Sequence, residues 1–283
     1  MVIEMDKYTG VKVLEIGQMG WQEWYQSSTL SLAEDTENYI NTGVVLKGSD
    51  HKEFGLIKND KIVKFKYPEA YGIKPKNAEQ TLAMGMLLDT DIKLKVITGK
   101  EGTGKNIITA ACCLHMLLET REYKRLVLTR TVDEVGKSLG LFPGTSDEKF
   151  ANHTSSFRYT FKSLMGEEES EYIDMLMKRG IIEYLPIQLM RGVSFPAGTL
   201  IWADEIAGLS PYELRMLGTR LGEDCALILT GSFEQIDRRV KKEDTGLYKL
   251  INDNRIKQSS ITSYIELRKN ERSALSSLIS EVL

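Results

Sequence analysis

The sequence predicts an α/β fold: a parallel β-sheet flanked by helices, preceded by a small β-rich element. Three observations carry this reading. Short, continuous apolar runs recur at residues 94–98, 125–130, 200–203 and 226–230, as expected of strands buried on both faces of a parallel sheet. The first run passes through a glycine-rich loop, Gly99 to Asn106, into an apolar helical segment. The third run ends in two adjacent carboxylates, Asp204 and Glu205.

Residues 1–70 read as a separate, small β-rich element. Apolar residues alternate through Thr42-Gly43-Val44-Val45-Leu46. A hairpin follows, with strands at 53–58 and 61–65 joined at Asn59-Asp60, residue types that tolerate the backbone of a tight turn. Trp21, Trp24 and Tyr25 cluster ahead of it; they read as a packing patch rather than a stacking surface for bases. Tyr67-Pro68 and Lys74-Pro75 mark the boundary, and residues 71–283 form the second unit. There the pattern alternates helix and strand: a helix at 77–88, the strand at 94–98, a helix at 106–119, then the remaining strands. Ser210-Pro211-Tyr212-Glu213 combines a Ser cap, Pro at the first helical position and Glu at the third, which fixes a helix start just after the carboxylate pair. The acidic run Glu167-Glu168-Glu169 reads as a solvated loop or helix start.

Composition narrows the class. The chain has 283 residues, 42% of them hydrophobic and 27% charged, as in ordinary globular proteins. No apolar run is long enough for a membrane span, and the N-terminus lacks the pattern of a secretory signal. Cys112, Cys113 and Cys225 lack metal-ligand spacing and read as small buried hydrophobes. A reduced, cytoplasmic setting is expected. The net charge of −3 offers no broad basic field, so any nucleic-acid contact needs a local patch.

The loop Gly99-Lys100-Glu101-Gly102-Thr103-Gly104-Lys105-Asn106 matches a phosphate-binding P-loop at its glycines and lysine. Glycines permit positive φ angles, so successive backbone N–H groups can face phosphate oxygens. The following helix presents its positive end to the same anion. Lys105 would reach the outer phosphates, and the next residue, Asn106, stands where a hydroxyl normally binds Mg²⁺. On the loop alone, a glycine-rich turn that binds nothing stays open. Asp204 answers it: an Asp at the end of such a strand helps hold Mg²⁺, and Glu205 can orient or deprotonate an attacking water. Gln235, just past the strand at 226–230, reads either as a γ-phosphate sensor or as a polar loop residue.

Taken in order, these segments resemble the ATPase domain of PhoH-like proteins, which are related to the core of superfamily 1 helicases. The likeness runs from about Gly72 to Leu283. Residues 74–80 resemble a Gln-containing motif, which implies adenine recognition by Gln80. Residues 126–130 and 136–144 resemble "TRP…G…LGFLPG", and 186–192 resemble "P…YIRG". Asp204-Glu205 matches "DEAQN", Thr219-Arg220 "TR-x-G", residues 230–237 "TGDPYQID", and Glu271-Arg272-Ser273 "ERS". The resemblance implies a RecA/helicase-like P-loop NTPase that uses ATP and Mg²⁺, acts on single-stranded RNA and assembles as a homo-oligomeric, hexameric ring. Within such a ring Arg220 or Arg272 would serve as an arginine finger in trans; each also reads as an ordinary surface ion pair. The branch it most resembles carries a PIN nuclease domain ahead of the ATPase; no such domain is read here, and nuclease activity is not expected.

The departures fall near the metal. Asn106 replaces Thr, Thr131 replaces Pro, Ile206-Ala207-Gly208 replaces Ala-Gln-Asn, and Ser232 replaces Asp. The expected phosphate cradle comprises Gly99, Gly102, Thr103, Gly104, Lys105 and Asn106, with Gln80 beside it. Metal binding falls to Asn106 and Asp204, and catalysis to Lys105, Glu205, Gln235, Arg220 and Arg272. The alternative is a degenerate nucleotide-binding or assembly module with little or no hydrolysis; a kinase-like or transport P-loop enzyme fits the ordered motifs less well.

Overall fold

A computed structural model describes residues 8–32, 38–131, 146–166, 170–237 and 239–271. The motif at 136–144, the acidic run 167–169 and Arg272 lie outside them.

The described chain builds two sheets. The first has five strands: β1 (Val11–Glu15), β2 (Thr29–Ser31), β3 (Gly43–Lys47), β4 (Lys52–Lys58) and β5 (Lys61–Lys64). Their order is β1-β3-β4-β5-β2, with β1 parallel to β3 and the remaining pairs antiparallel. The expected hairpin forms, turning at Asn59 with φ +53°. Helix α1 (Gln18–Ser27) covers one face. There Trp24 is fully buried with Leu30, Val44, Leu46, Ile57 and Ile62. The opposite face, through Val45 and Leu56, joins the core around helix α2 (Ala78–Leu88). This explains why residues 43–46 are all buried rather than alternating in exposure: both faces of the strand are covered. The aromatic cluster divides, with Trp24 in the core and Tyr25 58% exposed.

The second sheet is six-stranded and entirely parallel, in the order β11-β6-β10-β9-β7-β8. Its members are β6 (Leu94–Gly99), β7 (Arg125–Arg130), β8 (Ile182–Tyr184), β9 (Thr199–Asp204), β10 (Ala226–Gly231) and β11 (Thr262–Leu267). The four strands read from apolar runs are all present. Strands β8 and β11 were not anticipated. The helix expected at 106–119 runs as α3 (Lys105–Leu114) and finishes in a π-helical turn, His115–Glu119. Helices α2, α3, α4 (Ser146–Met165) and α5 (Ser170–Lys178) lie over one face, where Trp202, Phe157, Phe161 and Ile173 share a core with Leu82 and Cys112. The other face is covered by the segment carrying α6 (Pro211–Gly218) and α7 (Gly246–Asn252). The Ser210 capping box forms as expected, with Glu213 reaching back to the Ser210 N–H at 2.9 Å.

The sheets are joined at the β11 edge. The Glu266 N–H donates to Thr9 O at 2.8 Å, and buried Asn41 donates its amide to both Ser260 O and Thr262 O at 2.8 Å. Gly10 sits so close that a Cβ there would meet Tyr264 O at 1.8 Å. No helix among the described residues is long and apolar enough to cross a membrane. All three cysteines are free and buried. Burial pushes the Cys112 thiol up to about 12 and Cys113 well above its usual range, so both behave as inert apolar groups.

Candidate functional site

In a parallel sheet all strands end on one side, and short loops at those ends gather into a crevice. Here the crevice lies at the C-terminal ends of β6, β10 and β9. It is a cavity of about 700 Å³ lined, among others, by Gln80, Gly104, Lys105, Asn106, Asp204 and Glu205.

The loop after β6 is held open by its glycines. Gly99, Gly102 and Gly104 all have positive φ, at +154°, +81° and +86°. At Gly99 a Cβ would meet Leu267 O at 2.3 Å, so the loop and the end of β11 require a glycine there. Thr103 is buried and turns its hydroxyl inward to Lys100 O at 2.9 Å. Gly104 then starts α3 with no side-chain cap, leaving the helix's first N–H groups facing the cavity, an arrangement suited to an anion. Lys105 lies over this loop, its Nζ donating to Gly99 O at 2.6 Å and Lys100 O at 2.8 Å.

Period-two alternation on β9 puts Leu200, Trp202 and Asp204 on the face toward α3. Asp204 is 3% exposed, and both its oxygens are engaged. Thr230 on β10 donates to Oδ1 at 2.6 Å, and Asn106 donates its amide to Oδ2 at 2.9 Å. Trp202 in turn donates to the Thr230 hydroxyl at 2.9 Å, so three residues on two strands form one directed chain. Burial raises the Asp204 pKa, and the Thr230 hydrogen bond works against that rise. Thr230 opens the motif at 230–237, which does not reveal its bond to Asp204. A threonine ending an otherwise apolar strand was the available signal.

Glu205 is a positive-φ residue, with φ +54° and ψ +37°. A non-glycine residue there is strained. Its carboxylate meets Arg130 at the end of β7. Arg130 Nε donates to Glu205 Oε2 at 2.8 Å, its Nη2 pairs with the same oxygen, and Nη1 donates to Ser156 of α4 at 2.8 Å. Thr131 adds a bond to Glu205 O at 3.0 Å. Burial opposes the Arg130 charge, but the hydrogen bond and charge of Glu205 outweigh it and raise the guanidinium pKa. Among the described residues, Arg130 is thus the arginine that pairs with Glu205. Arg220 does not line the cavity; it lies beyond α6 with its carbonyl accepting from Phe195 N. The contact of Arg130 with Glu205 depends on the turn at Glu205, which no local pattern specifies.

Gln235 ends a short 3₁₀ turn, Phe233–Gln235, and donates to Glu101 at 3.1 Å across the cavity mouth. Ser232 is buried and caps that turn by accepting from Glu234 N. Gln80 is 3% exposed. Its oxygen accepts from Lys76 N and its amide donates to Thr103 O, both at 2.9 Å, so it braces the loop from behind while also lining the cavity. Glu271, the last described residue, donates its N–H to Gly102 O at 2.9 Å and accepts from Asn77 at 2.7 Å. The segment after β11 therefore closes the loop's outer side.

The donor set suits Mg²⁺ shared with phosphates. That cation takes hard oxygen ligands and commonly uses only one or two protein carboxylates. Asp204 and the Asn106 amide oxygen would be the protein's share. No cluster of three or more His, Cys, Asp or Glu side chains able to hold a metal occurs among the described residues.

The family model described as "PhoH-like protein" matches residues 72–283. "Protein PhoH2" of Bacillus subtilis is 30% identical over 294 residues, covering 100% of this chain and 66% of that protein. "Protein PhoH2" of Mycolicibacterium smegmatis is 28% identical over 280 residues, covering 98% of this chain and 62% of its own length. The chain thus spans a little under two-thirds of these relatives. Among solved structures, the Pif1 helicase from Candida albicans aligns with TM-score 0.37 and 16% identity, over 74% of this chain and 43% of that one. With its phosphate loop, its paired carboxylates and a family match over most of its length, this chain belongs to the PhoH-like protein family.

Proposed function

We propose that this chain binds ATP with Mg²⁺ in the cavity at the ends of β6, β10 and β9 and hydrolyses it, coupling turnover to the remodelling of single-stranded RNA. One observation carries the nucleotide part: the glycine loop, the open N-terminus of α3 and the Asp204–Asn106 pair face a single cavity of about 700 Å³. Backbone N–H groups and Lys105 would hold the phosphates. Gln80, behind the loop, would meet the adenine. Bound Mg²⁺ would offset phosphate charge. Glu205 would accept a proton from water as its oxygen attacks the terminal phosphorus and the bond to the leaving phosphate breaks. Gln235 would report the terminal phosphate. Arg220 and Arg272 are proposed to act in trans within a homo-oligomeric ring, in a cytoplasmic setting; the RNA and ring parts rest on the family resemblance.

A second reading, nucleotide binding with little turnover, is favoured by the ion pair that engages Glu205 with Arg130. Phosphate release by the wild type separates the two, measured with and without single-stranded RNA beside Lys105→Ala and Glu205→Gln. Release no greater than that of the variants would sink the hydrolytic reading. Asn106→Thr should raise turnover by a few-fold, on the order of one hydroxyl ligand restored to Mg²⁺; no change would mean the amide is a competent substitute.

A further inference from the structure

Helix α4 meets the supports of both carboxylates. Its Ser156 accepts from Arg130, which pairs with Glu205. The next residue, Phe157, makes a T-shaped contact with the Trp202 indole, with ring centroids 5.0 Å apart and planes at 80°. Phe161, one turn on, does the same at 6.3 Å and 72°. All three rings are buried, so two aromatic side chains from one helix fix the tilt of the indole.

That tilt aims a proton. A buried indole N–H needs an acceptor, and it can only donate. Here it donates to the Thr230 hydroxyl at 2.9 Å. The hydroxyl has one proton and two acceptors in reach, Asp204 Oδ1 at 2.6 Å and Ala203 O at 3.4 Å. The shorter bond goes to Asp204, which is therefore addressed as an acceptor. Each bond in such a buried chain polarises the next. The Asn106 amide holds the other carboxylate oxygen at 2.9 Å. A carboxylate offers about four lone-pair sites, which leaves room for a cation. Neither Trp202 nor Thr230 lines the cavity itself.

We propose that Trp202 and Thr230 are positioning residues for Mg²⁺ binding: α4 sets the indole, the indole directs the Thr230 hydroxyl, and the hydroxyl holds Asp204 in the orientation the cation meets. The proposal rests on the reading of Asp204 as a metal ligand and extends it to groups behind that ligand. An ordinary buried hydrogen bond would support the fold alone. A positioning bond changes metal affinity in a chain that stays folded, commonly by about tenfold to a hundredfold.

The test is a Mg²⁺ titration of the full chain with a fluorescent, non-hydrolysable ATP analogue, read as anisotropy. Circular dichroism checks that each variant is folded. Thr230→Val keeps the side-chain shape and removes the hydroxyl; it should raise the Mg²⁺ midpoint by about tenfold. Thr230→Ser should restore the wild-type midpoint. Trp202→Phe leaves the bond to Asp204 in place and should raise the midpoint by roughly threefold, and Phe157→Leu by roughly twofold. These two carry the test where Thr230→Val does not fold. Thr199→Val removes a hydroxyl at the opposite end of β9, bonded to Pro196 O at 2.7 Å, and should leave the midpoint unchanged. Tryptophan emission, read with an unlabelled analogue, should change on Mg²⁺ addition in wild type and not in Trp202→Phe, because Trp21 and Trp24 pack on the other sheet. Wild-type midpoints in Thr230→Val and Trp202→Phe, an equal shift in Thr199→Val, or no rescue by Thr230→Ser would each overturn the proposal. A Phe157→Leu midpoint like that of wild type would overturn the part given to α4. A wild type that binds the analogue equally with and without Mg²⁺ would overturn the proposal together with the metal role of Asp204, whereas a Mg²⁺-dependent wild type with unshifted variants would leave that role standing.

Discussion

The two sheets of this protein use similar residues to different ends. In the six-stranded sheet every strand runs the same way. Its C-terminal ends therefore bring Gly99, Arg130, Asp204 and Thr230 to one edge. In the five-stranded sheet three of the four pairings are antiparallel, so strand ends fall on both sides and no comparable cluster of polar residues forms among the described residues. That sheet instead buries both faces, one under α1 and one against α2. Strand direction, more than composition, separates the sheet that gathers the candidate site from the sheet that carries packing. The packing sheet is nonetheless tied to the working one through β11, which pairs with the loop-bearing strand β6 along its whole length.

The sharpest way to break this contrast is at the crevice. Lys105→Ala and Glu205→Gln should each lower phosphate release by about 10²–10³-fold, the scale of losing a group that acts on transferring phosphate, while urea midpoints stay near wild type. A variant that also unfolds would make these residues structural.

The junction comes next. Gly10→Ala places a Cβ into Tyr264 O at a positive φ of 77° and should destabilise the chain by about 3 kcal/mol in urea unfolding. Gly72 has a similar φ of +73° but open space around it, so Gly72→Ala should cost only about 1 kcal/mol. If Gly10→Ala instead splits unfolding into two transitions, the sheets are independent units and the β11 link is incidental.

A third test lies within the parallel sheet. Lys95 on β6 is fully buried, and its Nζ has no hydrogen-bond partner. Burial drives its pKa down to about 8 from 10.5, with Asp89 offsetting part of the fall. Between those values the unfolded chain holds a proton that the folded chain lacks, so this residue makes stability rise with pH. The contribution is up to about 1.4 kcal/mol per pH unit and levels off on either side of the window. The difference in unfolding free energy between wild type and Lys95→Met, measured across that range, isolates it from the buried tyrosines and thiols. A flat difference would mean that the amine keeps its proton.

The smallest expected effect concerns Arg130. If its pairing restrains Glu205, Arg130→Ala should raise basal phosphate release by roughly three- to tenfold, the size of a modest change in a general base. A fall would instead make Arg130 an orienting partner. Either outcome refines the division between the sheets, because Arg130 is anchored by Ser156 of α4.

Much of the parallel sheet was legible. Strands β6, β7, β9 and β10 are buried on both faces, and their short, mostly apolar runs suit that environment. Strand β11, Thr-Ser-Tyr-Ile-Glu-Leu, was not, because its polar groups find partners only across the fold: Tyr264 Oη lies 3.1 Å from Thr98 Oγ1. The hairpin at β4–β5 was readable from its turn, whereas the pairing of β1 with β3 was not, since parallel neighbours are set by packing. The same holds at the site. Lys105, Asp204 and Glu205 declare themselves through position after a strand. Gln80 was expected beside the adenine, and its two bonds to the loop's surroundings emerge only when α2 docks behind the loop.

By itself, then, the sequence determined that β6, its glycine loop and α3 would form, and that two carboxylates would end β9. These are local consequences of burial pattern, glycine freedom and helix-start chemistry. Only the tertiary structure decided what those groups touch: Asp204 on Thr230 and Asn106, Glu205 on Arg130. Such contacts join residues up to 98 positions apart, and their geometry depends on strand order and on one positive-φ turn at Glu205, which no local pattern specifies.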